Sequence, residues 1–322
     1  MNTNHKIILM VAARKCGLSS LSVMALVLSA GAAFMPITAR GQIFVTDSGD
    51  GSAGAGSIGE YTPSGASVNA SLVSGLSAPF GIAVSGSDLF VASQINDTIG
   101  EYTTSGATVN AALVSGLVGI PTGIAVSGSD LFVTNEGSGT IGEYTTSGAT
   151  VDASLVSGLV NPYGITVSGS DLFVINEDNG EGNGTIGEYT TSGTTVNASL
   201  VSGFVDPYGI AVSGSDLFVA DGGNNTIGEY TTSGATVNAS LVTGLDFPIG
   251  VAVSGSDLFA VNNRSNRIGE YTTSGATVNA TLVSGLNSPY DIAVVVPEPA
   301  TGSLVLIAGA SLLLRQRRRQ LV

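Results

Sequence analysis

Five Asp or Asn residues recur at one position of a sequence repeat and have the right chemistry to bind a metal ion. They are Asp47, Asn135, Asn176, Asp221 and Asn262, with Glu136 and Glu177 directly after two of them. Calcium takes six to eight oxygen ligands, so these side chains suit a calcium site if the fold gathers them on one axis. The other interpretation is structural, because Asn and Asp also cap tight turns through the neighbouring backbone.

Two further features carry charges that could act in binding. The segment NEDNGEGNG (176–184) contains Asp178 and Glu181 among glycines and could wrap a calcium ion, although its spacing differs from an EF-hand loop. Arg264 and Arg267 are the two cations between Gln42 and Val296. They either pair with nearby carboxylates or mark a contact with an anion or a partner.

The charge and composition of the central region exclude several functions. Residues 42–296 hold those two arginines against 23 acidic residues, a net charge of −21. Such a surface repels phosphate backbones, which excludes nucleic-acid binding. The one histidine (His5) and the one cysteine (Cys16) lie in the first 41 residues. A mature chain without those residues has no thiol nucleophile, no His general base, no disulfide and no His/Cys metal site.

The elements that must position these residues come from an internal repeat. IGEY occurs six times, beginning at Ile58, Ile99, Ile141, Ile186, Ile227 and Ile268, at steps of 41 to 45 residues. SGSD occurs five times, ending at Asp88, Asp130, Asp171, Asp216 and Asp257. Each unit contains two nearly continuous apolar runs, GIAV and DLFVA, and two more alternating ones, separated by Gly-containing turns. Four strands in 40 to 45 residues are typical of a β-propeller blade.

The ends of the repeat region predict a closed ring. QIFVTD (Gln42 to Asp47) aligns with the second strand of a unit, and SPYDIAV (Ser288 to Val294) aligns with the first. The two chain ends therefore complete one blade, which leaves no unpaired edge at the closure. The sequence predicts an all-β fold, a six-bladed β-propeller of four-stranded blades over residues 42–296. The loops between second and third strands vary most, and we expect them to share a face with the connections between blades.

One unit also has a recognisable pattern. PYGIAVSGSDLFVADGGNNTIGEY (Pro207 to Tyr230) resembles the NHL repeat in its Pro-x-Gly-Ile-Ala-Val, Val-Ala-Asp and Asn-Asn-x-Ile elements. Other units depart from it, since the basic residue before the isoleucine is present only as Arg267. NHL propellers mostly bind partners, and some six-bladed relatives are enzymes. Propeller lactonases of the gluconolactonase type hold a divalent metal with axial Glu, Asn and Asp, so the resemblance leaves both classes open.

The first 41 residues have the pattern of a secretory signal peptide. MNTNHKIILMVAARK is basic and is followed by the apolar run LSVMALVLSAGAAFMPI. Small residues before Gln42 offer a cleavage site, and cleavage after Ala33 or Ala39 is the alternative. We therefore expect export by the Sec machinery. An uncleaved anchor helix is the alternative.

The last 26 residues (297–322) have the pattern of a second targeting segment. Ala300 to Leu314 is apolar and short for a membrane span, and an arginine cluster follows it: Arg315, Arg317, Arg318 and Arg319. With Val296-Pro297-Glu298-Pro299 in front, this tail closely resembles a PEP-CTERM sorting signal. The resemblance implies recognition by an exosortase in a Gram-negative bacterium, passage through an inner-membrane-anchored form, and transfer to the envelope or exopolysaccharide. A simple transmembrane tail anchor is the alternative.

These features favour a non-catalytic exported propeller that binds a protein or polysaccharide of the envelope. The alternative is a divalent-metal-dependent hydrolase or lactonase using the axial Asp, Asn and Glu residues, with Ca²⁺ as the possible cofactor. A third hypothesis is a purely structural protein of the matrix. Convergence of two acidic side chains and several amide oxygens on the axis would favour the enzyme.

Overall fold

The computed structural model describes residues 41–177 and 182–295 of the chain. In these residues the chain forms 24 strands arranged as six antiparallel sheets of four strands, which confirms the predicted six-bladed propeller. Residues 1–40 of the predicted signal peptide, the sorting motif with its arginines, and the loop acids Asp178 and Glu181 lie outside the described residues. Within the described part, no helix has the length and apolar character needed to cross a membrane.

The strands fall into four sets by their position in a blade. The innermost strands are β4 (Pro79–Ser85), β8 (Pro121–Ser127), β12 (Pro162–Ser168), β16 (Pro207–Ser213), β20 (Pro248–Ser254) and β24 (Pro289–Val295). The second strands are β1 (Gln42–Asp47), β5 (Asp88–Ser93), β9 (Asp130–Asn135), β13 (Asp171–Asn176), β17 (Asp216–Asp221) and β21 (Asp257–Asn262).

The third and fourth strands complete each blade towards solvent. The third strands are β2 (Gly56–Tyr61), β6 (Thr98–Thr103), β10 (Thr140–Thr145), β14 (Gly184–Thr190), β18 (Thr226–Thr231) and β22 (Arg267–Thr272). The fourth strands are β3 (Ser67–Leu76), β7 (Thr108–Ser115), β11 (Thr150–Ser157), β15 (Thr195–Phe204), β19 (Thr236–Val242) and β23 (Thr277–Ser284). Most residues of the fourth strands are exposed, in keeping with their repeated polar TVNAS sequence.

The ring closes as predicted, by pairing the two ends of the described chain. β24 pairs antiparallel with β1, with Ile43 opposite Val294 and Phe44 opposite Ala293. The closing blade is therefore β24, β1, β2 and β3. β24 also contacts the inner strands of both neighbouring blades, β20 and β4, so the six inner strands surround a central axis.

The core lies between neighbouring blades. The phenylalanine of each second strand is 2% exposed or less: Phe44, Phe90, Phe132, Phe173, Phe218 and Phe259. Each buried cluster joins residues of two blades, as Tyr102 packs with Phe44 and Ile58 of the closing blade. Burial of one such side chain contributes about 1.5–3 kcal/mol, so every blade is held by its neighbours. The repeat thus makes a rigid ring whose inner strands can position a site.

Candidate functional site

The variable loops lie on the same face as the connections between blades, as the sequence predicted. Backbone hydrogen bonds join them, since the amide of Gln94 donates to Ala78 at 3.1 Å and the amide of Glu136 to Ile120 at 3.0 Å. The amide of Asn263 makes the equivalent bond to Phe247 at 3.2 Å. Each bond fixes the residue that follows a second strand beside the start of an inner strand, near the axis.

A cavity opens on this face, and we call it the axial cup. Its volume is about 200 Å³. Its inner-strand residues occupy the second position of the Pro-x-Gly motif, and the others come from loops. The cup is lined by Phe80, Tyr163, Tyr208, Ile249 and Tyr290, together with Gln94, Ile120, Glu136, Phe247 and Asn263.

The aromatic rings of the cup contact one another around the axis. Phe80 stacks on Tyr290 with ring centroids 3.7 Å apart, across the junction between the closing blade and its neighbour. Tyr163 meets Tyr208 edge to face at 4.9 Å, and Tyr208 meets Phe247 at 5.5 Å. The rings are only partly buried, so they offer π surface to a ligand in the cup.

The electrostatic character of the cup is acidic. Burial is the main cause that raises the pKa of Tyr163, and the negative charge of Glu136 and a hydrogen bond to it raise that pKa further. Burial raises the pKa of Tyr208 to about 12, with Asp206 and Glu177 adding to the effect. Burial and then Glu136 also raise the pKa of Tyr290. The negative charge of Glu136 thus contributes to the raised pKa of all three tyrosines, Tyr208 included.

Below the cup the axis narrows to a channel of about 60 Å³. The next residue of four inner strands is a glycine that lines it: Gly81, Gly123, Gly164 and Gly209. Gly250 holds the same position in β20. A Cβ on any of them would lie 2.3 to 2.7 Å from a backbone carbonyl oxygen of the next inner strand. Glycine at this position lets the inner strands approach closely.

Asp291 stands at the sixth equivalent position and is the one charged residue of the channel lining. Its Oδ2 accepts a hydrogen bond from the amide of Ile82 in the next blade at 3.1 Å, and its Oδ1 accepts one from Ile292 at 2.9 Å. Protein surrounds the carboxylate, although the residue keeps some exposure towards the channel. Burial raises the pKa of Asp291 to about 6, against the lowering effect of both amides.

The predicted Asp and Asn ligands lie beside the cup, one in each of five blades. Each ends a second strand and pairs with the proline that begins an inner strand, as Asn135 pairs with Pro121. Three of them accept from the connection that leads into the inner strand of the same blade: Asp47 from the amide of Asn287 at 2.7 Å, Asp221 from that of Val205 at 3.1 Å, and Asn262 from that of Asp246 at 3.0 Å. Burial is the main cause that raises the pKa of Asp47 and of Asp221. Asp47 and Asp221 also accept from amides of the turn after their own strand, those of Gly49 at 3.3 Å and Asn224 at 3.4 Å, as the structural alternative predicts.

Two residues of the set differ, because the Oδ1 atoms of Asn135 and Asn176 are buried without a hydrogen-bond partner. Glu177 follows Asn176, and its carboxylate accepts a bond from Asn161 Nδ2 at 3.3 Å. In residues 41–177 and 182–295, no three His, Cys, Asp or Glu side chains form a group that could hold a metal. The calcium site stays a prediction, with two open amide oxygens in its favour.

The two arginines have different surroundings. The guanidinium of Arg264 lies 4.2 Å from the ring centroid of Phe247, on the rim of the cup. Arg267 begins β22 opposite Asn262, and its Nε is buried without a hydrogen-bond partner. Arg264 is thus the cation that belongs to the axial face.

The repeated acids lie elsewhere in the blades. The hydroxyl of the serine before each SGSD aspartate contacts that carboxylate, at 3.2 Å in Asp130. Burial first, and then the negative charge of the SGSD aspartate in the same blade, raise the pKa of five IGEY glutamates: Glu101, Glu143, Glu188, Glu229 and Glu270. In the closing blade Gln42 replaces that aspartate and donates to Glu60 at 2.7 Å.

The comparisons with known proteins identify the fold. No protein-family model and no curated protein sequence matches this chain. A solved nidogen/laminin complex contains a chain with a TM-score of 0.70 and 17% identity, over 80% of this chain and all of that one. A streptogramin B lyase gives 0.51 and 21%, over 81% of this chain and 75% of that one. The virginiamycin B lyase of Staphylococcus aureus gives 0.51 and 23%, over 66% and 73%. At these identities the likeness extends to the fold alone.

Sequence reasoning missed the aromatic residues of the cup and Asp291. The signal for Asp291 is visible in the sequence, because SPYDIAV has Asp where the other five units have Gly. The aromatic residues recur at the second position of Pro-x-Gly, a position that is not identical between units. Positions that vary within an otherwise copied repeat therefore indicate both the cup aromatics and Asp291.

Proposed function

We propose that this chain is an exported propeller that binds a component of the cell envelope or exopolysaccharide through the axial cup, without catalysing a reaction on it. One observation carries the proposal: the repeat copies the exposed outer strands almost verbatim but varies the residues around the cup. Recognition requires different groups at defined positions, and the cup is where this nearly symmetric ring supplies them. Residues 42–296 contain no His or Cys, which removes imidazole bases and thiol nucleophiles.

The two ends of the sequence support a function outside the cytoplasm, at the cell envelope. The N-terminal basic and apolar segment has the features that the Sec machinery recognises. The Pro-Glu-Pro motif, apolar run and arginine cluster resemble the signal read by exosortases. We propose export, a stage anchored in the inner membrane of a Gram-negative bacterium, and release to the envelope or its polysaccharide.

The test uses the full chain expressed in a Gram-negative host that carries an exosortase, with the envelope fraction quantified by immunoblot. Gln94→Trp places a large side chain in the cup, and Val68→Trp is the control, because Val68 is 56% exposed on the outer strand β3. We expect Gln94→Trp to release the protein to the medium and Val68→Trp to stay with the envelope. Equal retention of the two variants would exclude the cup as the binding surface.

A further arm tests sorting. A chain ending at Val296 lacks the proposed signal, and we expect it to be secreted without the intermediate of higher mass that the full chain passes through. If the two chains gave the same series of intermediate masses, the sorting proposal would be contradicted. The result for the cup would not be affected.

A divalent-metal-dependent hydrolase is the second candidate function. It is favoured by the buried, unpartnered Oδ1 atoms of Asn135 and Asn176 beside the axis. Metal analysis of the purified full chain and its melting with and without a chelator test this candidate. A bound divalent ion whose removal lowers the melting temperature would justify a screen of lactones and esters. A melt that does not respond to chelation, with no metal found, would remove the candidate.

A further inference from the structure

The axial cup and the channel below it form one continuous space. Five residues line both: Phe80, Tyr163, Tyr208, Ile249 and Tyr290. The cup is wide and aromatic, whereas the channel is narrow and contains the carboxylate of Asp291. At about 10–15 Å³ for each enclosed water, the 60 Å³ channel admits about four to six water-sized groups. That size suits a small head group better than a ring.

Asp291 has acceptor capacity left for such a group. Each carboxylate oxygen has one amide partner, Ile82 or Ile292, and a carboxylate offers about four acceptor positions in all. The other five blades place only glycine at this level, so the carboxylate is unique along the ring. A buried negative charge with open acceptors favours a cationic partner.

The walls of the cup favour the same partner. Partly exposed aromatic faces attract cations through their negative π surface, and four aromatic residues contribute rings from inner strands: Phe80, Tyr163, Tyr208 and Tyr290. Glu136 places a carboxylate among the three tyrosines. The region between Gln42 and Val296 carries a net charge of −21, which attracts cations over longer distances.

The chain itself demonstrates the contact at the rim. Arg264 holds its guanidinium 4.2 Å from the centre of the Phe247 ring, and Phe247 is also a residue of the cup. The rings of Phe80, Tyr163, Tyr208 and Tyr290 also line the cup.

We infer that the cup and channel bind an organic cation, a guanidinium or alkylammonium group, with its apolar stem against the aromatic rings and its charge between Glu136 and Asp291. The inference names the ligand class for the proposed function and rests on it for the biological role. The group can belong to a free small molecule or to a basic side chain of a polypeptide, and the chemistry of recognition is the same.

The experiment compares two probes that differ in charge and share their shape. Isothermal titration calorimetry of the full chain with N-acetyl-arginine amide and N-acetyl-citrulline amide measures the contribution of the cation directly. We expect the arginine probe to bind at least about tenfold tighter than the citrulline probe. We expect Glu136→Gln and Asp291→Asn each to weaken the arginine probe by about five- to tenfold and to leave the citrulline probe unchanged.

Two controls keep the result interpretable. Thermal melts of both variants confirm that the ring is folded, and Asp216→Asn removes a carboxylate from an exposed turn far from the cup lining, so its affinity should equal that of the wild type. A Gly-Arg-Gly peptide tests the polypeptide source: binding as tight as the single amino acid probe indicates a side chain of a protein, and loss of binding indicates a free small molecule.

Several results would overturn the inference. Equal affinity for arginine and citrulline probes would show that charge is not recognised. Binding of a neutral oligosaccharide with no response to the arginine probe would assign the cup to sugars. Failure of the arginine probe together with loss of envelope retention in Gln94→Trp would leave the proposed function standing and reject the cation. Binding of the arginine probe together with normal retention of Gln94→Trp would instead support the cation site and reject the proposed function.

Discussion

The six junctions between inner strands are of two kinds. At five of them a glycine of Pro-x-Gly faces a carbonyl of the next inner strand, with no room for a Cβ. At the junction of β24 with β4, which we call the closing junction, Asp291 replaces the glycine and its carboxylate bonds the amide of Ile82. The five glycine junctions have no side chain at this position, whereas at the closing junction a carboxylate occupies it and bonds the next inner strand.

The difference shows where a duplicated repeat becomes specific. Copying a unit reproduces its junction, and a ring of identical junctions has no position that a ligand could distinguish. The closing junction joins the two ends of the propeller, so its second side comes from a different part of the sequence. It carries the one charge of the channel and the Phe80–Tyr290 stack. The closing junction therefore breaks the symmetry of the ring and places a charged group at one position beside the axis.

Alanine at equivalent positions of the two kinds of junction tests the comparison most strongly. In Gly164→Ala the new Cβ would lie 2.4 Å from the carbonyl oxygen of Tyr208, so the inner strands must separate. We expect a loss of more than about 3 kcal/mol in the free energy of unfolding. Asp291→Ala adds no Cβ and, at pH 4, where the carboxyl group is mostly protonated in the folded state, removes its amide bonds at a cost of about 1–2 kcal/mol. Urea unfolding of both variants measures the difference, and equal losses would contradict the distinction between junctions.

The charge at the closing junction predicts a specific pH dependence. The pKa of Asp291 is raised from 3.8 to about 6, so the folded state binds its proton more tightly than the unfolded state. Stability is therefore greatest below about pH 4 for this group and falls as pH rises to about 6, by up to about 3 kcal/mol. The IGEY glutamates with raised pKa act in the same direction. The measurement is the difference in melting temperature between wild type and Asp291→Asn from pH 4 to 7. Parallel curves would show that Asp291 is not the group responsible.

Much of this architecture follows from the sequence, because it depends on local and periodic information. The spacing of IGEY fixes the number of blades, and the alignment of QIFVTD with a second strand fixes the closure through β1 and β24. A turn role was one of two alternatives for the Asp and Asn residues, and Asp47 and Asp221 accept from amides two and three positions further along the chain, as Asx side chains do in tight turns.

The cup and the Asp291 bridge depend on contacts distant in sequence. Ile82 and Asp291 are 209 positions apart, and only closure of the ring brings that amide to the carboxylate. The rings of Phe80 and Tyr290 stack for the same reason. The calcium hypothesis was based on residue type alone. The lining of the cup depends instead on which side chains of the inner strands lie next to the axis.

The smallest expected effect concerns the residue before each inner-strand proline, where all six junctions share one backbone conformation. Its φ is positive throughout, from 42° to 58°, yet the residue is never glycine. Ile120 has φ 51° and is 41% exposed, so it carries the strain of a β-branched residue with little gain from burial.

Ile120→Asn places at this position a residue that tolerates left-handed backbone, and we expect it to raise the free energy of unfolding by about 0.5–1 kcal/mol. Ile120→Val keeps the β-branch and should give no gain. The bond from the amide of Glu136 to the carbonyl of residue 120 is available in all three chains, so the urea midpoints compare side-chain strain alone. A midpoint for Ile120→Asn at or below that of Ile120→Val would mean that the junction imposes this conformation without measurable strain. The six connections would then differ in the groups they present to the cup and not in stability.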